Sequence, residues 1–80
     1  MIARNEIFIG ARIIENDPEN PSERPYKGTV IDITEQGKGA YDYYATIELD
    51  KESMEQPYIA MICPDGVMNC FSFAIDLLKE

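Results

Sequence analysis

The chain contains no histidine. Imidazole is the usual general base, and the usual partner that activates a serine or cysteine nucleophile, so the commonest routes to acyl transfer are closed. Zinc is disfavoured for the same reason: Cys63 and Cys70 supply half of a tetrahedral set, and no imidazole completes it. The spacing C-P-D-G-V-M-N-C is not C-x-x-C, and two cysteines are too few for the disulfide framework of a small secreted domain. They read as two small buried hydrophobes, with a cross-strand disulfide as the alternative. No cation stands near either thiol in sequence to lower its pKa. Basic residues are scarce: seven Lys and Arg face fifteen Asp and Glu, a net charge of −8. Such a field repels phosphate backbones and anionic membranes and attracts basic surfaces, although solubility alone is also served by it. No apolar run approaches the ~20 residues that span a bilayer. Met1-Ile2-Ala3-Arg4-Asn5-Glu6 does not read as a secretory signal, so the expectation is a soluble, cytoplasmic protein.

Phosphate and calcium loops are missing too. Gly37-Lys38-Gly39-Ala40 opens no helix and reads as a turn, and N-D-P-E-N lacks alternating calcium ligands. Carboxylates such as Glu48 and Asp50 are ordinary solubilising positions. The sequence therefore points away from an enzyme and implies no cofactor and no metal.

What is present is a strand pattern. Eighty residues make a single domain, 1–80. A chain this short buries only roughly 60–65% of its unfolded surface. From Tyr41 to Asp50 the odd positions Tyr41, Tyr43, Ala45, Ile47 and Leu49 are apolar or aromatic, and the even ones are polar apart from Tyr44. A period of two over that length predicts a strand with one buried face. The run 6–14 predicts a strand bent at Gly10. Residues 15–25, E-N-D-P-E-N-P-S-E-R-P, predict a long acidic loop, because proline removes a donor and restricts its predecessor. Residues 26–34 predict the second strand, Gln36–Gly39 a glycine loop free to take positive φ, and 51–56 a single helical turn ended by Pro57. Residues 58–63 predict the fourth strand, Pro64-Asp65-Gly66 a turn, and 67–75 the fifth strand, with a short helical turn at the terminus. The fold class expected is all-β: a small five-stranded antiparallel barrel.

This layout resembles the SH3-like small barrels, including the KOW and Tudor types. Phe8, Gly10, Gly28, Val30, Ile33 and the closing Ala74-Ile75-Asp76-Leu77 carry the resemblance. KOW-type barrels commonly contact RNA or ribosomal surfaces through basic loops. Here the corresponding loops carry Glu15, Asp17, Glu19, Glu23 and Glu35.

A hairpin centred on Asp65-Gly66 would oppose residue 63 to 68 and 61 to 70. One face then carries Ile59, Met61, Cys63, Met68, Cys70 and Ser72. The other carries Tyr58, Ala60, Ile62, Val67, Asn69, Phe71 and Phe73, and this aromatic set is the expected core. The Met/Ile face then needs cover from the proline-rich loop, from Leu77 and Leu78, or from another chain, since methionine-rich surfaces are adaptable contacts. The expected function is a non-enzymatic protein-binding module for a basic partner, with dimerisation as an option. Its contact residues are Ile59, Met61 and Met68, rimmed by Tyr26 and Tyr44 and by the acidic Asp42 and Glu48. In size and charge the chain is similar to inhibitors that cover nucleic-acid-binding sites, including small anti-defence proteins of bacterial viruses. A second expectation is a dimeric barrel binding a small molecule or nucleotide, with Arg4, Arg12, Lys27 and Lys38 converging on an anion. A KOW-like RNA contact ranks last because of the charge.

Overall fold

The alternating segment forms β3 (Tyr43–Leu49), the strand that carries the centre of the core. In the computed structural model, which describes residues 1–79, β3 lies between β2 (Lys27–Glu35) and β4 (Val67–Phe71). β1 (Arg12–Glu15) follows β2, and β5 (Ile75–Leu77) lies beyond β1. The result is one five-stranded antiparallel sheet in the order β4-β3-β2-β1-β5. Two short helices, α1 (Lys51–Met54) and α2 (Pro57–Ile62), connect β3 to β4, and a 3-10 turn (Ser72–Ala74) connects β4 to β5. The chain is all-β in class, as the alternation implies. No helix among the described residues is long and apolar enough to cross a membrane.

The inner side chains of β3 (Tyr43, Ala45, Ile47 and Leu49) are all buried. Ile47 stands opposite Val30 on one side and Met68 on the other; Ala45 stands opposite Ile33 and Cys70. The β2 register shifts between Val30 and Asp32, so Ile31 is an extra residue and lies exposed. That bulge keeps Val30 and Ile33 both facing inward despite their odd spacing. The N-terminal segment is tied to the far end of β3. The Tyr43 hydroxyl donates to the carbonyl of Ile2 at 2.5 Å, and the Ile2 N–H donates to the carbonyl of Ser72 at 3.1 Å.

The structure departs from the expected elements at several places. Residues 6–14 are not one strand: the chain turns at 9–10, with Gly10 at φ +96°, and β1 begins only at Arg12. Residues 58–63 are not a strand either. Pro57 occupies the first turn of α2, where a missing N–H costs nothing, and Ile59 and Cys63 are then four residues apart on one face. The hairpin about Asp65-Gly66 does not form, and β4 pairs with β3 through Tyr44 opposite Phe71 and Ile47 opposite Met68. The segment 67–75 is broken by the 3-10 turn. Asp76 and Leu77 belong to β5 rather than to a terminal helical turn; Glu80 lies outside the described residues.

Close approach explains one glycine. A Cβ at Gly28 would sit 2.6 Å from the backbone carbonyl oxygen of Glu48, across the β2–β3 ladder. Backbone cannot swing aside as a side chain can, so Gly28→Ala should part the strands locally. The expected cost is about 1–3 kcal/mol, read as a lower urea midpoint at unchanged slope. A stability equal to the parent would show that the ladder has slack at this point.

Candidate functional site

The fold separates the residues expected to form a contact face. Ile59 and Tyr26 are each only 7% exposed and belong to the core. The Tyr26 hydroxyl lies 3.2 Å from the Cys70 Sγ, beneath the sheet rather than at a rim. Met68 is half-buried and packs on the same core. The proposed Met/Ile/Cys surface is thus mostly interior. Of its members Met61 alone is exposed, at 71%, on the outer side of α2 with Tyr58 and Ile62. The aromatic set expected inside is outside: Phe71 is 54% exposed, and Phe73 and Tyr58 are exposed too. Inside and outside are exchanged because Ile59 and Cys63 turn inward on a helix, while β4 takes its register from β3.

Tyr44 and Glu48 do lie together on the outer face of β3. Tyr44 stands opposite Phe71, Thr46 opposite Asn69, and Glu48 opposite Val67. The Thr46 hydroxyl donates to Asn69 Oδ1 at 2.8 Å and fixes the middle of this face. Phe71 and Phe73 stack with ring centroids 5.4 Å apart and planes 6° from parallel. The Ser72 hydroxyl, between them in sequence, donates to the carbonyl of Tyr41 at 2.6 Å and draws that residue to the same end. Tyr41, Tyr44, Phe71 and Phe73 therefore share one end of the β3–β4 pair, beside a shallow depression lined by Gln36, Tyr44, Asn69 and Phe71. Tyr41, Phe71 and Phe73 were not among the expected contact residues. Proline at a helix start with apolar residues four apart was the signal that would have reversed the assignment of faces.

Charge is distributed unevenly along the chain. Between residues 39 and 78 there are Asp42, Glu48, Asp50, Glu52, Glu55, Asp65 and Asp76, and Lys51 is the sole cation. The exposed Tyr41, Tyr58, Phe71 and Phe73 all fall in this stretch. Asp42 has a local task as well. Its Oδ2 accepts from the Gly39 N–H at 2.9 Å and closes the 37–42 loop. Neither Gly37 nor Gly39 uses positive φ; a Cβ at either would meet the Asp42 carboxylate.

The four cations expected to share an anion fall into two places. Arg12 forks onto Asp50, Nη1 to Oδ1 at 2.7 Å and Nη2 to Oδ2 at 2.5 Å, and Nη1 also donates to Thr29 Oγ1 at 2.9 Å. These bonds, against the opposing cost of burial, hold the Asp50 carboxyl below its ordinary range, with further help from the Arg12 and Lys27 charges. Lys27 lines a depression with Asp50, Arg24 and Glu52. Arg4 and Lys38 line a different one, where Arg4 Nε donates to Glu35 at 3.1 Å. No group of three or more Cys, Asp or Glu stands together as a metal site among the described residues.

Cys63 and Cys70 are free, buried thiols. Burial raises both, Cys70 to about 11, which suits packing and not nucleophilic chemistry. Comparison with protein-family models, curated proteins and solved structures finds no match for this chain.

The buried acids generate a pH dependence. Burial lifts Cys70 from 9.0 to about 11 and Tyr43 from 10.0 to about 12, and Tyr26 is raised further. Each group holds its proton more tightly folded than unfolded, so its contribution is complete below the unfolded value and is lost as pH climbs toward the folded one. Urea denaturation should give constant stability from these groups up to about pH 9, then a fall on the order of 1–3 kcal/mol per group by pH 12. Tyr26→Phe should flatten the upper part of that fall. A parent whose stability holds steady through pH 11 would show that these groups are open to water.

Proposed function

We propose that this chain is a non-enzymatic protein-binding module whose exposed aromatic end of the β3–β4 pair engages a basic protein partner. One observation carries the reading: Tyr41, Phe71 and Phe73 are exposed together beside the half-buried Tyr44 at one end of the β3–β4 pair, on a chain of net charge −8. Exposed rings are costly in water and typical of contact sites. Their faces attract guanidinium and ammonium groups at about 0.5–2 kcal/mol each, more as water is excluded. The net charge of −8 speeds the encounter with a cationic surface and disfavours a nucleic acid.

Support for an SH3-like small barrel comes from the strand order, with β1 between β2 and β5 and a short turn before the last strand. The insertion of α1 and α2 between β3 and β4 then replaces a tight hairpin with an apolar knob bearing Tyr58, Met61 and Ile62. A nucleotide-binding role has less support, since Arg12 and Arg4 already meet Asp50 and Glu35. A role as an inhibitor that covers a nucleic-acid-binding site is the biological form this reading suits best, on size and charge alone.

The test uses short fluorescent peptides, one rich in arginine and one rich in glutamate. The arginine peptide should bind, weaken with added salt, and lose about tenfold or more in affinity to Phe71→Ser. Equal binding by parent and variant, or preference for the glutamate peptide, would overturn the reading.

A further inference from the structure

The two edges of the sheet are treated differently. β5 is three residues long and carries Asp76 at its middle, which blunts that edge. β4 is five residues, V-M-N-C-F, with no charge and no proline. Its hydrogen-bonding parity is fixed by the ladder. The Leu49 N–H donates to the carbonyl of Gly66 at 2.8 Å, and the Asp50 N–H donates to Lys27 on the opposite side at 3.0 Å. Odd residues of β3 therefore bond toward β4, so Met68 and Cys70 bond inward in turn. Alternation then aims the backbone N–H and C=O groups of Asn69 and Phe71 away from β3, along an edge with no strand beyond it among the described residues. Both residues are exposed. In an antiparallel addition, residues that bond to Asn69 and Phe71 would place their side chains on the same outer face, beside Tyr44, Phe71 and Glu48.

We infer that the partner contributes an extended basic segment that adds to β4 as a sixth, antiparallel strand, its cationic side chains lying over the Tyr44–Phe71 face. The inference rests on the proposed binding of a basic partner and adds the geometry of that binding. Charge chooses the occupant. A second copy would bring another −8 against an already acidic surface, whereas a segment with cations at alternate positions meets Glu48 on the outer face and Asp65 at the start of the strand. Main-chain bonds would then give affinity, and the alternate side chains specificity.

The probe is a lysine–valine repeat peptide, titrated as made and in two N-methylated forms, one methylated on every lysine and one on every valine. Lysines facing the aromatic face are the residues whose N–H groups reach Asn69 and Phe71. Methylating them should weaken binding about tenfold or more, and methylating the valines should leave it within about threefold. Amide exchange at Asn69 and Phe71 should slow on addition of the unmodified peptide. Asn69→Pro removes an outward donor that the β3 ladder does not use, and should lose binding that Asn69→Ala retains. If both methylated forms bind alike, or an arginine–proline repeat binds as well as the lysine–valine one, strand addition is wrong. In that case sensitivity to Phe71→Ser would leave the basic-partner reading standing, and indifference to it would remove both. Slow exchange at Asn69 and Phe71 without peptide, with a dimer by sedimentation, would name a second copy as the occupant and overturn the inference.

Discussion

The structure depends on the need to cover the inner face of β3. Tyr43, Ala45, Ile47 and Leu49 form the floor of the only core a chain of eighty residues can build. Ile59 from α2 and Cys63 just after it pack against that face, and Met68 and Cys70 extend it across β4. Once Cys70 opposes Ala45 and meets the Tyr26 hydroxyl, its neighbours in sequence must face the other way. A slip of one residue would bring Phe71 inward against Ala45, where the smaller Cys70 now meets the Tyr26 hydroxyl. The exposure of Phe71 thus follows from packing under the sheet. The aromatic face is the outer consequence of an inner fit.

Polar contacts lock the same arrangement at its ends. Arg12 on β1 spans Thr29 on β2 and Asp50 just after β3, so one guanidinium ties the sheet to the start of the helical insertion. Ser53 on α1 is buried and accepts from the Lys27 N–H at 2.8 Å, which seats the insertion against β2. At the opposite end Tyr43 and Ser72 hold the N-terminal segment and the Tyr41 turn. No buried side-chain nitrogen or oxygen among the described residues lacks a partner. Arg12 and Arg4 serve as structural clasps here, on Asp50 and Glu35.

What the sequence disclosed was local, and what it hid was set by pairing. The alternation of 41–50 fixed which β3 residues face the core, because period two needs no knowledge of neighbours. The proline-rich loop and the turn at Pro64–Gly66, with Gly66 at φ +77°, were legible for the same reason. The segment Tyr58-Ile59-Ala60-Met61-Ile62-Cys63 was ambiguous, since six apolar residues fit a buried strand or a short helix equally. Pro57 decided it, not by stopping the preceding turn but by starting the next one. The parity of β4 could not be read at all from its own residues. It is imposed by β3 across a seventeen-residue excursion from Asp50 to Gly66, so the assignment of Met68 and Phe71 to inside and outside was reversed. Tyr26 was misplaced because a residue beside an acidic loop gives no sign that its ring folds under the sheet.

An open edge of uncharged residues is a hazard for any soluble domain, since identical edges pair with one another. Most sheets blunt such an edge with a lysine, a proline or a bulge, and β4 has none of these. The net charge of −8 offers a different protection. It acts between whole molecules and falls off over about 8–10 Å at ordinary ionic strength, so two copies repel before their edges align. For the basic partner proposed above, the same field would be attractive and would draw it toward that strand. On the proposed reading, acidity would let an exposed strand and an exposed aromatic face persist without self-pairing, and would select by charge what approaches them.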